Sequence, residues 1–204
     1  MVTSRHLVAL LLASAMAIPA AGSAGEDSPL SVLSADGRRV TLDELRAGRD
    51  ATVLVFWSAG CPCVRRYQGR VDALLDTYPA DRVRVVALVS NAGESLADDL
   101  KTAVERGVRV PIYLDEGGRV ARAVGARSTP TVVVLDRKGE VRFLGWLDNE
   151  RLPGVDGREP WLEEALAGVL AGRNDFKRKT PTYGCVITRS LSEPQTSPCC
   201  STEK

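Results

Sequence analysis

Histidine is almost absent from this chain. Among 204 residues, His6 is the only histidine, and it lies in an N-terminal segment with the features of a secretory signal. Once that segment is removed, the mature protein has no imidazole to act as a general base, a triad member or a metal ligand. The sequence therefore excludes histidine-based catalysis and mixed cysteine–histidine metal sites.

The chain also lacks an excess of charge of either sign. It has 27 basic and 26 acidic residues, and Arg5 is the only one of these among the first 24 residues. Removal of that segment leaves 26 of each sign. This balance gives no electrostatic footprint for nucleic acid or for an anionic membrane surface.

A long hydrophobic run is missing as well. The apolar segment Leu7–Ile18 is interrupted by Ser14 and is short for a membrane span. Arg5 precedes it and Gly22-Ser23-Ala24 follows it, which is the pattern of a cleaved signal peptide. We expect residues 1–24 to be removed, leaving a periplasmic or secreted protein with no stable membrane anchor. No cysteine lies near the cleavage site, so a lipid anchor is not indicated.

Cysteine is the reactive residue type that remains. All five cysteines belong to the exported part of the chain: Cys61, Cys63, Cys185, Cys199 and Cys200. Disulfides persist outside the cytoplasm, but an odd number of cysteines cannot all pair within one monomer. Two are almost adjacent and three lie in the last twenty residues, unlike the cysteines of a small disulfide-stapled domain. We therefore expect sulfur chemistry.

The first two cysteines lie where a predicted strand ends and a predicted helix begins. The run Thr52–Phe56 predicts a fully buried strand, and apolar residues at spacings of three and four predict a helix over 62–78. Pro62 suits the first helical turn, because its missing N–H has no partner there in any case. The unpaired N–H groups and the dipole of a helix N-terminus stabilise a thiolate. Cys61 and Cys63 are therefore candidates for a reactive site.

Strand and helix patterns alternate across the predicted domain, residues 25–172. Thr41 and Glu44 have the spacing of a capping box, and the turn residues Ala35-Asp36-Gly37 predict an N-terminal hairpin. The order after the hairpin is β-α-β-α-β-α-β-β-α, which predicts an α/β fold with parallel pairs and one terminal antiparallel pair. Residues 173–204 have few apolar positions and predict a tail, partly extended and partly disordered, that is dispensable for folding.

Two motifs and this element order make the chain similar to thioredoxin-fold proteins. The motifs are Phe56-Trp57 followed by Cys61-Pro62-Cys63, and Ser128-Thr129-Pro130-Thr131 before a strand. The hairpin and the exported context resemble the extracytoplasmic redoxins, a branch that includes TlpA-type thiol–disulfide oxidoreductases and AhpC/TSA-like proteins. The resemblance implies a thioredoxin-like fold with a central mixed sheet flanked by helices. It also implies that Pro130 is a cis-proline that faces the cysteines and binds substrate, together with Thr129 and Trp57.

The first motif departs from the family pattern in two ways. Its cysteines are separated by one residue, whereas the family pattern has two. Counting forward from Phe56-Trp57 aligns Cys61 with the attacking cysteine of the family, and counting back from Pro62-Cys63 aligns Cys63 with the resolving cysteine. The buried acid that thioredoxins place just before the Phe-Trp pair is Val55 here. We expect Cys61, at the exposed start of the turn, to attack a disulfide, and Cys63 to resolve the mixed disulfide.

Two oxidised pairings of Cys61 fit the sequence. A bond to Cys63 closes a ring of about eleven atoms, which strains the disulfide and makes it labile. A bond to a tail cysteine is the alternative, because Gly184-Cys185-Val186-Ile187 resembles a Gly-Cys-X-Ile segment that some redoxins carry after the last helix. Cys185 is thus either a candidate resolving cysteine or a buried structural thiol. Cys199-Cys200 either binds a soft metal, exchanges disulfides or has no role.

The favoured function is an exported thiol–disulfide oxidoreductase that acts on disulfide- or thiol-containing proteins and exchanges electrons with a redox partner protein. We expect no cofactor and predict no resident metal site. The alternative is a Cu(I)-binding module built on Cys61 and Cys63, since soft thiolates select Cu(I). A thiol peroxidase is a weaker alternative: Ser58 lies three residues before Cys61, but Leu54 stands where the peroxidase pattern has proline. The sequence leaves the direction of electron flow open.

Overall fold

A fully buried strand, Ala51–Trp57, lies inside the main sheet and ends next to the cysteine turn. The computed structural model describes residues 29–150 and 157–192. The predicted signal peptide and Cys199-Cys200 lie outside the described residues.

The described residues contain every predicted element and two further short strands. The strands are β1 (Ser31–Leu33), β2 (Arg39–Thr41), β3 (Ala51–Trp57), β4 (Val83–Val89), β5 (Ile112–Leu114), β6 (Ser128–Thr129), β7 (Thr131–Asp136), β8 (Val141–Gly145) and β9 (Cys185–Val186). The α-helices are α1 (Leu42–Arg46), α2 (Pro62–Thr77), α3 (Leu96–Glu105), α4 (Arg119–Val124) and α5 (Trp161–Leu170). The strands that the sequence did not predict are β6 and β9.

The main sheet has seven strands in the order β2-β1-β5-β4-β3-β7-β8. Strands β3, β4 and β5 are parallel to one another. Strand β7 pairs antiparallel with β3, and β8 pairs antiparallel with β7. The N-terminal hairpin is confirmed, and it joins the sheet through an antiparallel contact between β1 and β5. The structure thus confirms an α/β fold with a mixed central sheet flanked by helices.

The sheet has more antiparallel pairing than the sequence predicted. The reason is that the chain between β5 and β7 does not return to the edge where the parallel strands begin. Strand β5 ends at Leu114, paired with Val89, and β7 begins at Thr131, opposite Phe56. Both points lie at the carboxyl edge of the parallel strands. The connection between them contains helix α4, and it begins and ends at that edge. The chain therefore stays at the edge where β3 ends, close to the cysteine turn.

Alternate side chains of β3 enter two different buried clusters, as the pleat of a strand requires. Val53 and Val55 belong to a cluster that includes residues of α2 and α5, whereas Leu54 and Phe56 belong to one that includes residues of α1 and α4. The first cluster also contains Cys61, Cys63 and Cys185. The sulfur atoms therefore lie on one face of the sheet.

Two local predictions at helix starts are confirmed. The backbone N–H of Glu44 donates to Oγ1 of Thr41 at 3.1 Å, and the carboxylate of Glu44 accepts from the N–H of Thr41 at 2.7 Å. These are the two reciprocal bonds of a capping box. Helix α2 begins at Pro62, as the missing N–H of proline favours.

The first part of the predicted tail packs against the domain. Strand β9 pairs antiparallel with β6, and Cys185 and Ile187 are 3% and 6% exposed. Cys185 is therefore buried against the domain. The expectation that the tail is dispensable for folding does not fit these contacts, since its removal uncovers buried side chains. Across 29–150 and 157–192, none of the helices has the length and apolar character that a membrane crossing requires.

Candidate active site around Cys61

The thiol of Cys61 lies at the junction between β3 and α2. Cys61 is the N-cap of α2, and its backbone N–H donates to the carbonyl oxygen of Ser58 at 3.2 Å. Its thiol donates to the carbonyl oxygen of Thr129 at 3.1 Å. Cys61 is 1% exposed, so the prediction of an exposed start of the turn is wrong. The reason is tertiary: β6, which pairs with β9, lies against the turn.

Cys63, the second residue of α2, is also 1% exposed. It belongs to a disulfide, whereas Cys61 and Cys185 do not. The partner of Cys63 is therefore neither of these two cysteines, and neither of the pairings suggested for Cys61 is formed in this structure. The turn thus carries one reduced and one oxidised sulfur, two residues apart.

The second sequence motif meets the first at a single hydrogen bond. The Thr129–Pro130 peptide bond is cis, as the resemblance implies, and both residues are buried. The carbonyl that accepts from the thiol of Cys61 belongs to Thr129, the residue just before Pro130. The cis peptide between Thr129 and Pro130 therefore lies next to the cysteine turn.

Cys185 reaches the same place from the C-terminal side. It is the register partner of Thr129 in the antiparallel pair of β6 and β9, and Oγ1 of Thr129 donates to the carbonyl of Cys185 at 3.5 Å. Gly184 has a φ of +128°, and a Cβ atom there would lie 1.9 Å from the carbonyl oxygen of Thr129. Only glycine permits both that backbone conformation and that approach. One carbonyl oxygen therefore contacts the thiol of Cys61 and the backbone of Gly184.

Aromatic side chains belong to the same buried cluster as the cysteines or pack against it. Trp57 is 2% exposed, and its indole N–H donates to Oε1 of Gln68 at 2.9 Å. Trp146 packs edge-to-face on Tyr183 with the ring centroids 4.9 Å apart, and its indole N–H donates to the carbonyl of Tyr183 at 2.7 Å. These rings exclude water from the cluster that contains the cysteines. Beside it, a cleft of about 360 Å³ is lined by Trp57, Val64, Arg65, Gln68, Glu105 and Arg106.

The other side of the cysteine turn is held by acidic and basic side chains from α3 and the loop before it. The hydroxyl of Ser58 donates to the carboxylate of Glu94. The backbone N–H of Ala59 donates to Oδ1 of Asp99 at 3.2 Å, and its carbonyl accepts from the guanidinium of Arg106 at 2.9 Å. Three side chains thus fix the two residues that lead into Gly60 and Cys61.

Burial changes the protonation of this acidic pair. Burial, and after it the negative charge of Glu94, raises the pKa of Asp99 to about 6. Burial also raises the pKa of Glu94. Oδ2 of Asp99 and Oε2 of Glu94 are buried without a hydrogen-bond partner among the described residues, and a buried carboxylate without partners is costly. The pair therefore keeps protons at pH values where ordinary carboxyl groups have lost them.

The structure brings together all six site residues that the sequence suggested: Trp57, Cys61, Cys63, Thr129, Pro130 and Cys185. Sequence reasoning missed the acidic pair and the close approach of Gly184. Gly184 stood next to a cysteine that the sequence did single out, but nothing local indicated its contact with Thr129. Glu94 and Asp99 lie in a polar, amphipathic segment, and their burial comes from contact with a turn about 40 residues earlier in the chain.

A metal site receives no further ligands from the described part of the chain. In residues 29–150 and 157–192, no group of three or more histidine, cysteine, aspartate or glutamate side chains is placed to hold a metal ion. Cys63 is oxidised, and a disulfide sulfur is not a thiolate ligand. In this redox state the two thiolates that a Cu(I) site on Cys61 and Cys63 needs are therefore not both present.

Comparison with known proteins gives a family and relatives. The model of the AhpC/TSA family matches residues 25–144. The thiol-disulfide oxidoreductase ResA of Halalkalibacterium halodurans is 30% identical over 120 residues, 58% of this chain and 65% of that protein. The chain thus spans about two thirds of the length of this relative.

Solved structures agree in fold. An uncharacterized conserved protein from Geobacillus kaustophilus has a TM-score of 0.69 at 30% identity, covering 81% of this chain and 91% of its own. A thioredoxin-like protein from Aeropyrum pernix has a TM-score of 0.51 at 19% identity, covering 71% of this chain and 89% of its own. The second likeness shows a thioredoxin-like fold.

Proposed function

The chain belongs to the AhpC/TSA family, and we propose that it is an exported thiol–disulfide oxidoreductase that acts on disulfide- or thiol-containing proteins through Cys61. One observation carries the proposal: the thiol of Cys61 lies at the N-terminus of α2 and contacts the carbonyl of Thr129, beside Pro130. The thiolate is the form of a cysteine that attacks a disulfide sulfur. The name of the relative from H. halodurans supports the same activity.

The proposed reaction moves two electrons from the protein to its client. The thiolate of Cys61 attacks one sulfur of a client disulfide, and the other client sulfur leaves as a thiolate and takes up a proton. A second thiolate of the protein then attacks Sγ of Cys61. This step forms a disulfide in the protein and releases the first client sulfur as a thiolate, so the client is reduced and the protein is oxidised. In the opposite direction the same steps oxidise a client dithiol.

Cys185 is the better candidate for the second thiolate in this redox state. The sequence favoured Cys63, but Cys63 already belongs to a disulfide. Cys185 is reduced, belongs to the same buried cluster as Cys61 and is the register partner of the residue whose carbonyl contacts Cys61. Cys63 can act in this step only after its own disulfide has been reduced.

Serine variants and a chromogenic aromatic disulfide, DTNB, test both roles. In the protein as purified, Cys61 should react first and give an adduct that mass spectrometry locates on Cys61, and a second release of thionitrobenzoate should follow as the adduct is resolved. Cys61→Ser should slow the first release at least about 100-fold, because the attacking sulfur is gone. Cys185→Ser should accumulate the adduct on Cys61, whereas Cys63→Ser, the matched control, should still resolve it.

The outcomes separate the candidate roles. Accumulation of the adduct in Cys63→Ser, but not in Cys185→Ser, would return the resolving role to Cys63. Equal reactivity of wild type and Cys61→Ser would remove the proposed function. Tight stoichiometric Cu(I) binding by the reduced protein, without exchange activity, would support the copper-binding alternative instead.

Two further parts of the proposal concern peroxidase activity and location. The hydroxyl of Ser58 is hydrogen-bonded to Glu94, and the contact described for the thiol of Cys61 is with Thr129. These contacts disfavour a peroxidase site built on Ser58 and Cys61.

Export rests on the signal peptide predicted over residues 1–24. We further propose that residues 25–172 form the redox domain and that the tail, residues 173–204, completes the site through Cys185.

A further inference from the structure

The segment 178–188, here called the C-terminal strap, is bound to the domain along its whole length. It runs from β8, across β6, to the loop that follows β4. The bonds that hold it include Leu144 N–H to Arg178 O at 3.0 Å, Thr180 N–H to Leu144 O at 3.1 Å, Trp146 Nε1–H to Tyr183 O at 2.7 Å, Ile187 N–H to Arg127 O at 2.9 Å, Thr188 N–H to Asn91 Oδ1 at 3.0 Å and Ala92 N–H to Thr188 O at 2.9 Å. The path of the strap is therefore defined by directional contacts with three separate parts of the chain.

Two glycines make room for the strap. A Cβ atom on Gly145 would lie 1.8 Å from Oγ1 of Thr180, and one on Gly184 would lie 1.9 Å from the carbonyl oxygen of Thr129. One glycine is in the domain and the other is in the strap, so the fit is built from both sides. Such approaches are closed to any other residue type unless the backbone moves.

The strap is held by backbone bonds to Leu144 at its beginning and by the short strand β9 near Cys61. Around Thr180 the strap exchanges backbone bonds with Leu144 and accepts a third bond from the N–H of Trp146. Strand β9 has only two residues, and Val186 within it is 40% exposed. A short strand with an exposed residue is the kind of element that opens without global unfolding.

We propose that β9 is a built-in occupant of the substrate position and that a client reaches Cys61 only when residues 183–187 move off β6. The inference rests on the proposed function, since the resemblance assigns the backbone at Thr129 and Pro130 to substrate binding. Here that backbone is paired with the protein's own Cys185, and Cys61 is 1% exposed. While the strap is closed, a client disulfide cannot reach Sγ of Cys61 with its S–S bond in line with that sulfur, as thiol–disulfide exchange requires. The occupant is thus an extended segment of this chain that itself carries a cysteine.

Hydrogen exchange of the wild-type protein tests whether the strap opens by itself. The amide of Ile187, which donates to the carbonyl of Arg127, should exchange at least about 100-fold faster than the amides of β3, because local opening costs less than global unfolding. If this amide exchanges at the same rate as those of β3, the strap opens only when the whole domain unfolds, and the proposal fails.

Alkylation of Cys61 in the full chain tests what the strap covers. Gly184→Ala should loosen β9 and speed the reaction of Cys61 with iodoacetamide about tenfold or more, as read by peptide mass mapping. Gly107→Ala is the matched control, because Gly107 also has a positive φ, +66°, but no atom within 4 Å of the added Cβ. It should leave the alkylation rate unchanged. An unchanged rate in Gly184→Ala, with circular dichroism as in wild type, would contradict the proposal.

These readouts do not depend on exchange activity. A protein whose Cys61 is protected by the strap but never attacks a disulfide would refute the proposed function and leave the occupant in place. A protein that exchanges disulfides while its strap amides stay as protected as β3 would keep the function and refute the occupant. The two proposals can therefore fail separately.

Discussion

The turn that carries Cys61 is held from two sides, and the two sides use different chemistry. On one side lie β6 and the C-terminal strap, which contribute backbone pairing, the Trp146–Tyr183 ring contact and the close approach of Gly184. On the other side, α3 and the loop before it contribute Glu94, Asp99 and Arg106. The strap side holds the turn through backbone pairing and apolar packing, whereas the other side holds it through charged side chains.

This difference separates two properties of the site. The contacts described on the strap side are backbone bonds and ring packing, so the strap controls whether a partner can reach the sulfur. The acidic side contacts Ser58 and the backbone of Ala59, so it controls how the turn is held as pH changes. Variants on the two sides should therefore alter different measurements.

The largest effect should come from deleting residues 173–204, which removes the C-terminal strap and leaves β6 uncovered. Thr180, Cys185, Ile187 and Thr188 are buried, and Trp146 loses its cover. Burial of one large aliphatic side chain contributes about 2 kcal/mol and each hydrogen bond about 1 kcal/mol, so the loss should exceed about 5 kcal/mol. For a domain of this size the melting temperature should fall by more than about 10 °C. Differential scanning calorimetry measures the melting temperature, and a fall of only a few degrees would show that the tail is dispensable for folding.

A smaller effect should follow from Gly145→Ala, which breaks the same side at one point. The added methyl would lie 1.8 Å from Oγ1 of Thr180, which accepts the N–H of Trp146 at 3.2 Å. The overpacking and the weakened hydrogen bond between Trp146 and Thr180 should together lower the free energy of unfolding by about 2 to 4 kcal/mol. Gly69→Ala is the control: Gly69 is in α2 with open space around it, and alanine there should stabilise by about 0.5 to 1 kcal/mol. Urea unfolding of both variants measures the contrast, and equal stabilities would show that the strap is loosely seated at Thr180.

Much of the fold follows from local signals in the sequence. The buried β-branched run that ends at Trp57, the capping box of Thr41 and Glu44, and Pro62 at the start of α2 all depend on residues within a few positions of one another. The Cys61–Thr129 contact was implied by a resemblance carried by two motifs. The direction of β7 was not, because it depends on the end of the sheet to which the connection from β5 leads.

The two sides of the turn escaped prediction for a common physical reason. Strand β9 has two residues, too few for a periodic pattern, and its partner β6 lies more than 50 residues earlier. Asp99 belongs to a helix with several charged residues, and only contact with Ala59 shows that this one is buried. Burial imposed by distant backbone leaves no mark in the local sequence. The predicted exposure of Cys61 failed for the same reason.

The smallest effect should come from Asp99→Asn, which acts on the acidic side and depends on pH. The pKa of Asp99 rises from its ordinary value of 3.8 to about 6, because of burial and then the charges of Glu94 and Asp98, against the opposing charge of Arg106. Between these two pH values the folded state holds a proton that the unfolded state has lost, so wild-type stability falls as pH rises through this window. A shift of about two units corresponds to at most about 3 kcal/mol, and coupling to Glu94 should reduce the observed change to about 1 to 2 kcal/mol.

The measurement is the free energy of unfolding at pH 4 and at pH 7.5. Asparagine keeps an oxygen for the N–H of Ala59 but has no proton to lose, so the variant should gain stability relative to wild type as pH rises between these values. Asp98→Asn removes the same charge from an exposed neighbour on α3 and should show at most a small part of this gain. The Gly184→Ala variant should keep the wild-type pH dependence, because it changes only the strap side. If Asp99→Asn and Asp98→Asn respond alike, the pH response belongs to the general surface charge of α3, and the division between an access side and a protonation side would have to be abandoned.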